Sequence, residues 1–414
     1  MGIIDSYLVT DPAFIQHVLS ENQANYRKGP MYEKLQALIG TGLITSEAEL
    51  WRKQRRLVQP VFDRHRLAGM LAVLDASIQR RCAMWSSRDP GQPVDIAREM
   101  TTLTMEIICV SLFGEQATDD MAETTASGIG FVEEVTREVV SLFHPLRQLF
   151  PRKPKPGPAT AKLRKIITKL IDGPRSGGRE FLTQLLQSRD EHGRGMSPTE
   201  LLDEVLTLFV AGHETTATAL SWTLWAIAKH GRVQQRLRNE LAGHVEASGS
   251  CEQESLLRLT YPRMVVEEAM RLYPPVWSFT RQAINDDLIG GYRIPRGALV
   301  VLSPYVVQRL PTYWDNPEAF VPERFAPNRA SERSRFVYFP FGAGPRMCAG
   351  NHFAMVEMQL VLARILQQFE LDLVPNQSIE PLPMITLKPS APIWMHLNPV
   401  RQASPQTERS HATA

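Results

Sequence analysis

The sequence predicts an α+β fold, predominantly α-helical, with a smaller β-rich part in its last third. Three observations carry that prediction. Residues 11–272 place apolar side chains at helical spacing over most of their length. One helix among them is long enough to cross the middle of a large protein. Beyond Pro275 the helical period gives way to short β-like runs separated by Asp, Gly and Pro turns.

The long helix starts at a capping box, Ser197 with Glu200, and has Pro198 at its first helical position. Its apolar period runs through Leu201, Val205, Leu208 and Phe209 to Trp225 and Ile227, and Gly231 is the expected stop. About 33 residues at 1.5 Å each give roughly 50 Å. A polar cluster, Gly212-His213-Glu214-Thr215-Thr216, interrupts its core stretch. A second helix is expected over about 260–272, ended by Pro274-Pro275. Strands are expected over 277–283, 292–294 and 299–303, and a last helix from just after Cys348 to about Phe369. Residues 152–158 and 173–179 read as surface loops. Residues 1–400 read as one domain, and 401–414 as a polar, disordered tail.

Lys plus Arg number 46 against 44 Asp plus Glu, a balance that excludes a general nucleic-acid binder. The four cysteines, Cys82, Cys109, Cys251 and Cys348, form no C-x-x-C pair, so neither a disulfide framework nor a structural zinc site is expected and a reducing cytoplasm fits. No run of eighteen uncharged apolar residues is present, so no membrane anchor is expected.

The chemistry concentrates in residues 341–350, FGAGPRMCAG. Two glycines let the backbone pass close to a flat ligand. Arg346 can meet an anion, and Cys348 precedes a helix whose dipole favours a thiolate. An isolated cysteine is more often a buried structural residue, but here five constrained positions fall within ten residues. Phe341, Gly344, Arg346, Cys348 and Gly350 reproduce the F-x-x-G-x-R-x-C-x-G signature, and on it the chain resembles the cytochrome P-450 superfamily. Other signatures follow in order: Trp51 with Arg55, Ala211-Gly212 leading to Glu214-Thr215-Thr216, Glu268 with Arg271, and Pro322-Glu323-Arg324-Phe325. The likeness covers about residues 5–395.

The resemblance implies the cytochrome P-450 fold, with the long helix crossing over haem b (iron protoporphyrin IX). It implies Cys348 as the iron ligand, and a thiolate ligand favours O–O cleavage. Ala211 and Gly212 are then expected to make room for molecular oxygen, and Glu214 and Thr215 to deliver protons to it. The competing reading of Thr215 is a hydroxyl bonded back to its own helix. Arg55, Arg281 and Arg346, with the Trp51 indole, are the expected partners of the haem propionates, and Phe341 opens the cysteine loop. Glu268 and Arg271 are expected to be buried with Arg324 in a structural role. The basic cluster Arg52, Lys53, Arg55, Arg56, Arg64 and Arg66 reads as a docking face for an acidic electron donor, or else as a solvated face. The family segment resembling residues 7–11 starts almost at once, so the first sheet is expected to lack a strand, or the chain to be a shortened one. With no anchor and no fused reductase, electrons are expected from a ferredoxin and its NAD(P)H-dependent reductase.

The pocket walls are expected from the 31–44 loop, the 131–150 region, 205–215, 276–280 and 384–387. Their apolar composition implies a terpenoid, a fatty acyl chain or a polyketide-like substrate. The alternatives are a peroxide-dependent peroxygenase, an electron-independent haem-thiolate isomerase, and a non-catalytic haem sensor or carrier module. The intact Glu214-Thr215 pair weighs against all three.

Overall fold

The computed structural model describes residues 5–89, 91–114, 121–141, 155–173, 180–242, 258–330 and 333–400. Within them the architecture is α+β and mostly helical. The 401–414 tail, Cys251, and parts of the expected 152–158 and 173–179 loops and of the 131–150 wall lie outside the described residues.

The central helix is Pro198–Lys229. Its capping box is formed: the Glu200 backbone N–H donates to the Ser197 hydroxyl at 3.3 Å, and the Ser197 backbone N–H donates to the Glu200 carboxylate at 2.8 Å. The helix is buried through almost its whole length, and Val205, Leu206, Phe209, Leu220 and Trp222 have no exposure. Its end differs from the expectation. His230 breaks the helix by leaving helical dihedrals, and Gly231 opens the next helix, Gly231–Ala242, instead of closing this one. A stop glycine works through a left-handed backbone, and Gly231 is not among the glycines with positive φ.

The central helix packs most heavily on helix Ile96–Phe113. One further difference bears on the pocket: Pro30–Ile39 is a helix, so only the second half of the expected 31–44 loop is irregular. Pro30 sits at its start with φ preset for a helix.

Among the described residues the β-rich part holds four small sheets. A mixed sheet has the order β1-β7-β4-β2, from Ser6–Val9, Leu299–Leu302, Phe279–Ala283 and Tyr26–Lys28. β1 pairs parallel with β7, and the other two pairings are antiparallel. Trp394–Pro399 (β11) lies between Phe369–Leu373 (β8) and Val94–Asp95 (β3). Two hairpins join Asp287–Ile289 to Tyr292–Ile294 (β5, β6) and Pro381–Pro383 to Leu387–Pro389 (β9, β10). The mixed sheet has its own apolar core of Val9, Ile15, Val300, Leu302 and Phe339, apart from the larger helical core.

A buried ion pair ties the two parts together. On helix Thr260–Leu272, Arg271 grips Glu268 with two bonds of 2.7 and 2.8 Å, and neither side chain has any exposure. Arg271 also donates to the backbone oxygens of Gln308, Pro317 and Ala319. Glu268 accepts from the Val321 N–H and pairs with Arg324 at 3.3 Å. Helix Thr260–Leu272, Gln308 and the 317–324 stretch are thus fastened together by two side chains. Removing one partner strands a buried charge, which costs about 3–5 kcal/mol. Arg271→Met is therefore expected to lower stability by that amount in urea unfolding; a loss below about 1 kcal/mol contradicts the role.

Candidate functional site

The 341–350 loop is shaped by its own backbone. The Cys348 N–H donates to the Phe341 carbonyl at 2.9 Å, and the Met347 N–H to the Gly344 carbonyl at 3.1 Å. Gly344 has φ +70, and a Cβ there would stand 1.9 Å from the Leu19 carbonyl oxygen. Only glycine fits so close to another strand of backbone. Helix Asn351–Gln368 starts three residues after Cys348.

Solvent reaches the Cys348 side chain, whereas Cys82 and Cys109 are buried. The sulfur nevertheless lies in a recess, and burial pushes its thiol above the ordinary value, against the pull of the Gly350 N–H and the Arg55 charge.

The expected arginines gather beside this loop. Arg55, on helix Ala48–Val58, donates to the Met347 carbonyl at 2.7 Å. Arg346 pairs with Glu47, and its guanidinium lies 4.7 Å from the centre of the Trp51 ring. Arg281, on β4, is 8% exposed, and burial followed by the charge of Arg346 lowers its pKa against the pull of Tyr32. Lys28 joins them from β2, opposite Arg281 in the strand register. Its ammonium donates to the Leu43 and Ser46 carbonyls at 3.1 and 3.0 Å. Burial and the nearby Arg346 charge bring its pKa down to about 7. Lys28 carries no sequence signature; only the β2–β4 pairing brings it here.

Three basic side chains, Lys28, Arg281 and Arg346, therefore gather around the carboxylate of Glu47, with Glu204 also acting on Lys28, and burial disfavours the charge of Lys28 and Arg281. Such a surplus suits a ligand that brings its own carboxylates. Together with an accessible thiol in a glycine-bordered loop, the donor set fits haem: a soft ligand for iron and cations for the propionates.

On the central helix, Ala211, Gly212 and Thr215 are half-buried on one face, while His213 and Glu214 are buried. The Thr215 hydroxyl donates to the Ala211 carbonyl at 2.7 Å, so the back-bonded arrangement is the one adopted here. A Cβ on Gly212 would meet Ile108 at 2.9 Å, which makes this glycine a close-packing point between two helices as well as a small residue in the polar segment. His213 bonds the Phe209 carbonyl at 2.9 Å through Nδ1, its Nε2 has no hydrogen-bond partner among the described residues, and burial lowers its pKa. The Glu214 carboxylate, 7% exposed, bonds Lys388 at 2.8 Å and accepts from the Thr386 hydroxyl at 3.0 Å. Thr386 falls within the expected 384–387 wall and Lys388 just beyond it, but nothing local in TLKP marks either as a partner of Glu214, which lies 172 positions before Thr386.

Members of the basic cluster already have partners: Arg52 pairs with Glu49, Lys53 with Glu200 at 2.8 Å and Arg56 with Glu191 at 2.7 Å. The side chains of Arg64 and Arg66 lie outside the described residues. At the expected pocket wall, Val276 and Ile385 are each 37% exposed, and the Trp277 indole N–H donates to the Met384 carbonyl at 2.8 Å. No helix among the described residues is long and apolar enough to cross a membrane.

Comparison with known proteins shows the family and the fold. A family model described as Cytochrome P450 matches residues 1–395. Cyclooctatin synthase of Streptomyces melanosporofaciens is 34% identical over 388 residues, spanning 92% of this chain and 84% of that protein. Pentalenene oxygenase of Streptomyces avermitilis is 29% identical over 397 residues, spanning 94% and 86%. The structure of retinoic acid-bound cyanobacterial CYP120A1 superposes with a TM-score of 0.84 at 26% identity, over 95% of this chain and 89% of that one.

The cysteine loop yields a paired prediction. Gly342 has φ +72 with nothing within 4 Å of an added Cβ, whereas Gly344 has φ +70 and the Leu19 carbonyl in the way. Gly342→Ala is expected to cost about 1–2 kcal/mol from backbone handedness alone, and Gly344→Ala distinctly more, in chemical unfolding. Equal losses contradict the close approach.

Proposed function

The chain belongs to the cytochrome P450 family and is a haem-thiolate monooxygenase, and from that premise we propose that it inserts one atom of dioxygen into an apolar terpenoid substrate with Cys348 as the iron ligand. The observation that carries the ligand assignment is the accessible Cys348 thiol in its glycine-bordered loop beside a surplus of buried cations. We take the cofactor to be haem b, its propionates held by Arg346, Arg281, Arg55 and Lys28 with the Trp51 indole beside them. When bound, it supplies the thiolate-ligated iron at which dioxygen is activated.

The chain's own residues then do three things. The loop and the Ala48–Val58 helix orient the cofactor through Arg55 and Arg346. The apolar wall formed by Val276, Met384 and Ile385 excludes water and receives the substrate. Thr215 and Glu214 move protons: the threonine hydroxyl can rotate its proton off the Ala211 carbonyl, and its oxygen can accept one from the acid behind it. The terpenoid class rests on the apolar wall and on relatives named for cyclooctatin and pentalenene chemistry.

A ferredoxin with an NAD(P)H-dependent reductase is the electron source in this reading, docking where Arg52 and Arg56 lie more than half exposed and exchanging their present carboxylate partners for its own. The reading includes a cytoplasmic setting, supported by the unpaired state of Cys82, Cys109 and Cys348, and one domain over residues 1–400.

The test is the absorbance of the purified, reduced protein under carbon monoxide. A strongly red-shifted Soret band, absent from Cys348→Ala, is expected; a spectrum like that of a histidine-ligated globin overturns the assignment. Thr215→Ala is expected to keep that band while product formed per dioxygen consumed falls roughly tenfold, with hydrogen peroxide rising to match. Unchanged coupling contradicts the proton role. Equal turnover with peroxide alone would favour a peroxygenase.

A further inference from the structure

A carboxylate in mid-helix, one position before Thr215, must find a partner or be paid for in desolvation. Glu214 finds both of its partners on another element. The Lys388 ammonium and the Thr386 hydroxyl, from β10 and the turn before it, reach the same oxygen, Oε1, at 2.8 and 3.0 Å. Thr386 is 2% exposed, and its hydroxyl stands 3.4 Å from that of Thr218, which donates to the Glu214 carbonyl one helical turn back. The Lys388 side chain is 40% exposed. A continuous polar line thus runs from a solvent-washed ammonium to a buried carboxylate beside Thr215. The hairpin is fixed in that position. The Trp222 indole N–H donates to the Leu387 carbonyl at 2.6 Å, and the Leu387 N–H to the Pro275 carbonyl at 3.0 Å. The neighbouring titratable group on the helix, His213, is buried with its pKa lowered by desolvation, and Lys388 is the one cation bonded to Glu214 among the described residues.

We propose that the β9–β10 hairpin is the solvent end of the proton path, with Lys388 renewing the proton of Glu214 and Thr386 aiming its carboxyl. The inference rests on the reading of Glu214 and Thr215 as the proton donors. In each cycle the O–H bond of the Glu214 carboxyl breaks and its proton passes to the Thr215 oxygen as the threonine's own proton moves on toward the oxygen being reduced. The carboxylate turns back to the hairpin and takes a proton from the Lys388 ammonium, breaking an N–H bond. The resulting amine is reprotonated by acid in bulk water, so charge and protons balance over the cycle. Lys388 and Thr386 touch neither substrate nor cofactor in this scheme; they are positioning residues that act through Glu214.

The experiment uses the holoenzyme with pentalenene as probe, a [2Fe–2S] ferredoxin and an NADPH-dependent reductase, and reads dioxygen consumption in light and heavy water. Lys388→Met is expected to slow consumption about tenfold and to raise the solvent isotope effect. Lys388→Arg keeps the ion pair but holds its protons too tightly to release one, so it should remain slow; recovery of the rate in Lys388→Arg would contradict proton renewal by Lys388. Thr386→Val should show a smaller effect in the same direction. In a Glu214→Gln background Lys388→Met should add nothing. A second readout needs no turnover: the infrared carboxylate band lost in Glu214→Gln should shift in Lys388→Met and return in Lys388→Arg. If Lys388→Met leaves rate, isotope effect and band unchanged while Thr215→Ala still diverts oxygen to peroxide, the hairpin is not the inlet and only this proposal falls. If Thr215→Ala and Glu214→Gln are also without effect, the underlying proton reading falls, and this proposal with it.

Discussion

A thiol that is to bind a metal has to be reachable from one side and walled off from the others, and the 341–350 loop meets both demands by laying its backbone against its neighbours. Gly344 lies against the Leu19 carbonyl in a left-handed conformation, Cys348 is tied to the Phe341 carbonyl, and Arg55 holds the Met347 carbonyl. Leu19, Phe341 and Arg55 come from three distant parts of the chain. The loop therefore cannot take its shape until the mixed sheet and the helical part are both in place. Glu268 and Arg271 make that joint rigid, fastening segments 308–324 that lead toward the loop.

Charge organises the rest of the site. On the cysteine side, cations outnumber anions in a desolvated region, which is unfavourable for the protein alone and visible in the lowered pKa values of Lys28 and Arg281. Strain of this kind is characteristic of a binding site whose ligand supplies the missing charge. On the central helix the imbalance is reversed: Glu214, one of three buried carboxylates there with Asp203 and Glu204, is compensated from outside by Lys388. The polar interruption of that helix is possible because the β9–β10 hairpin is pinned against it.

What was legible in the sequence follows how local each signal is. The capping box, the Pro274-Pro275 stop and the cysteine loop are set by neighbouring residues, and they stand where the residue patterns place them. Glu268, Arg271 and Arg324 carry motif signatures, and the structure brings them into one buried cluster. Gly231 was misleading because a glycine after an apolar run looks the same whether it closes a helix or opens the next. The helix at Pro30–Ile39 looks like loop in the sequence although Gly29-Pro30 and Gly40 bracket it, since its apolar period is short. Lys28, Glu47, Thr386 and Lys388 could not be found from sequence order. Each becomes part of the site through a pairing between segments far apart in the chain, and no spacing rule encodes such a pairing.

The identity of the iron's sulfur ligand is the claim on which the others rest. Iron-edge X-ray absorption on the purified holoprotein measures it directly. One sulfur in the coordination sphere of the wild type, replaced by a lighter scatterer in Cys348→Ser, is the predicted result. A sphere of nitrogen and oxygen only in the wild type, or a sulfur that survives in Cys348→Ser, would contradict the account.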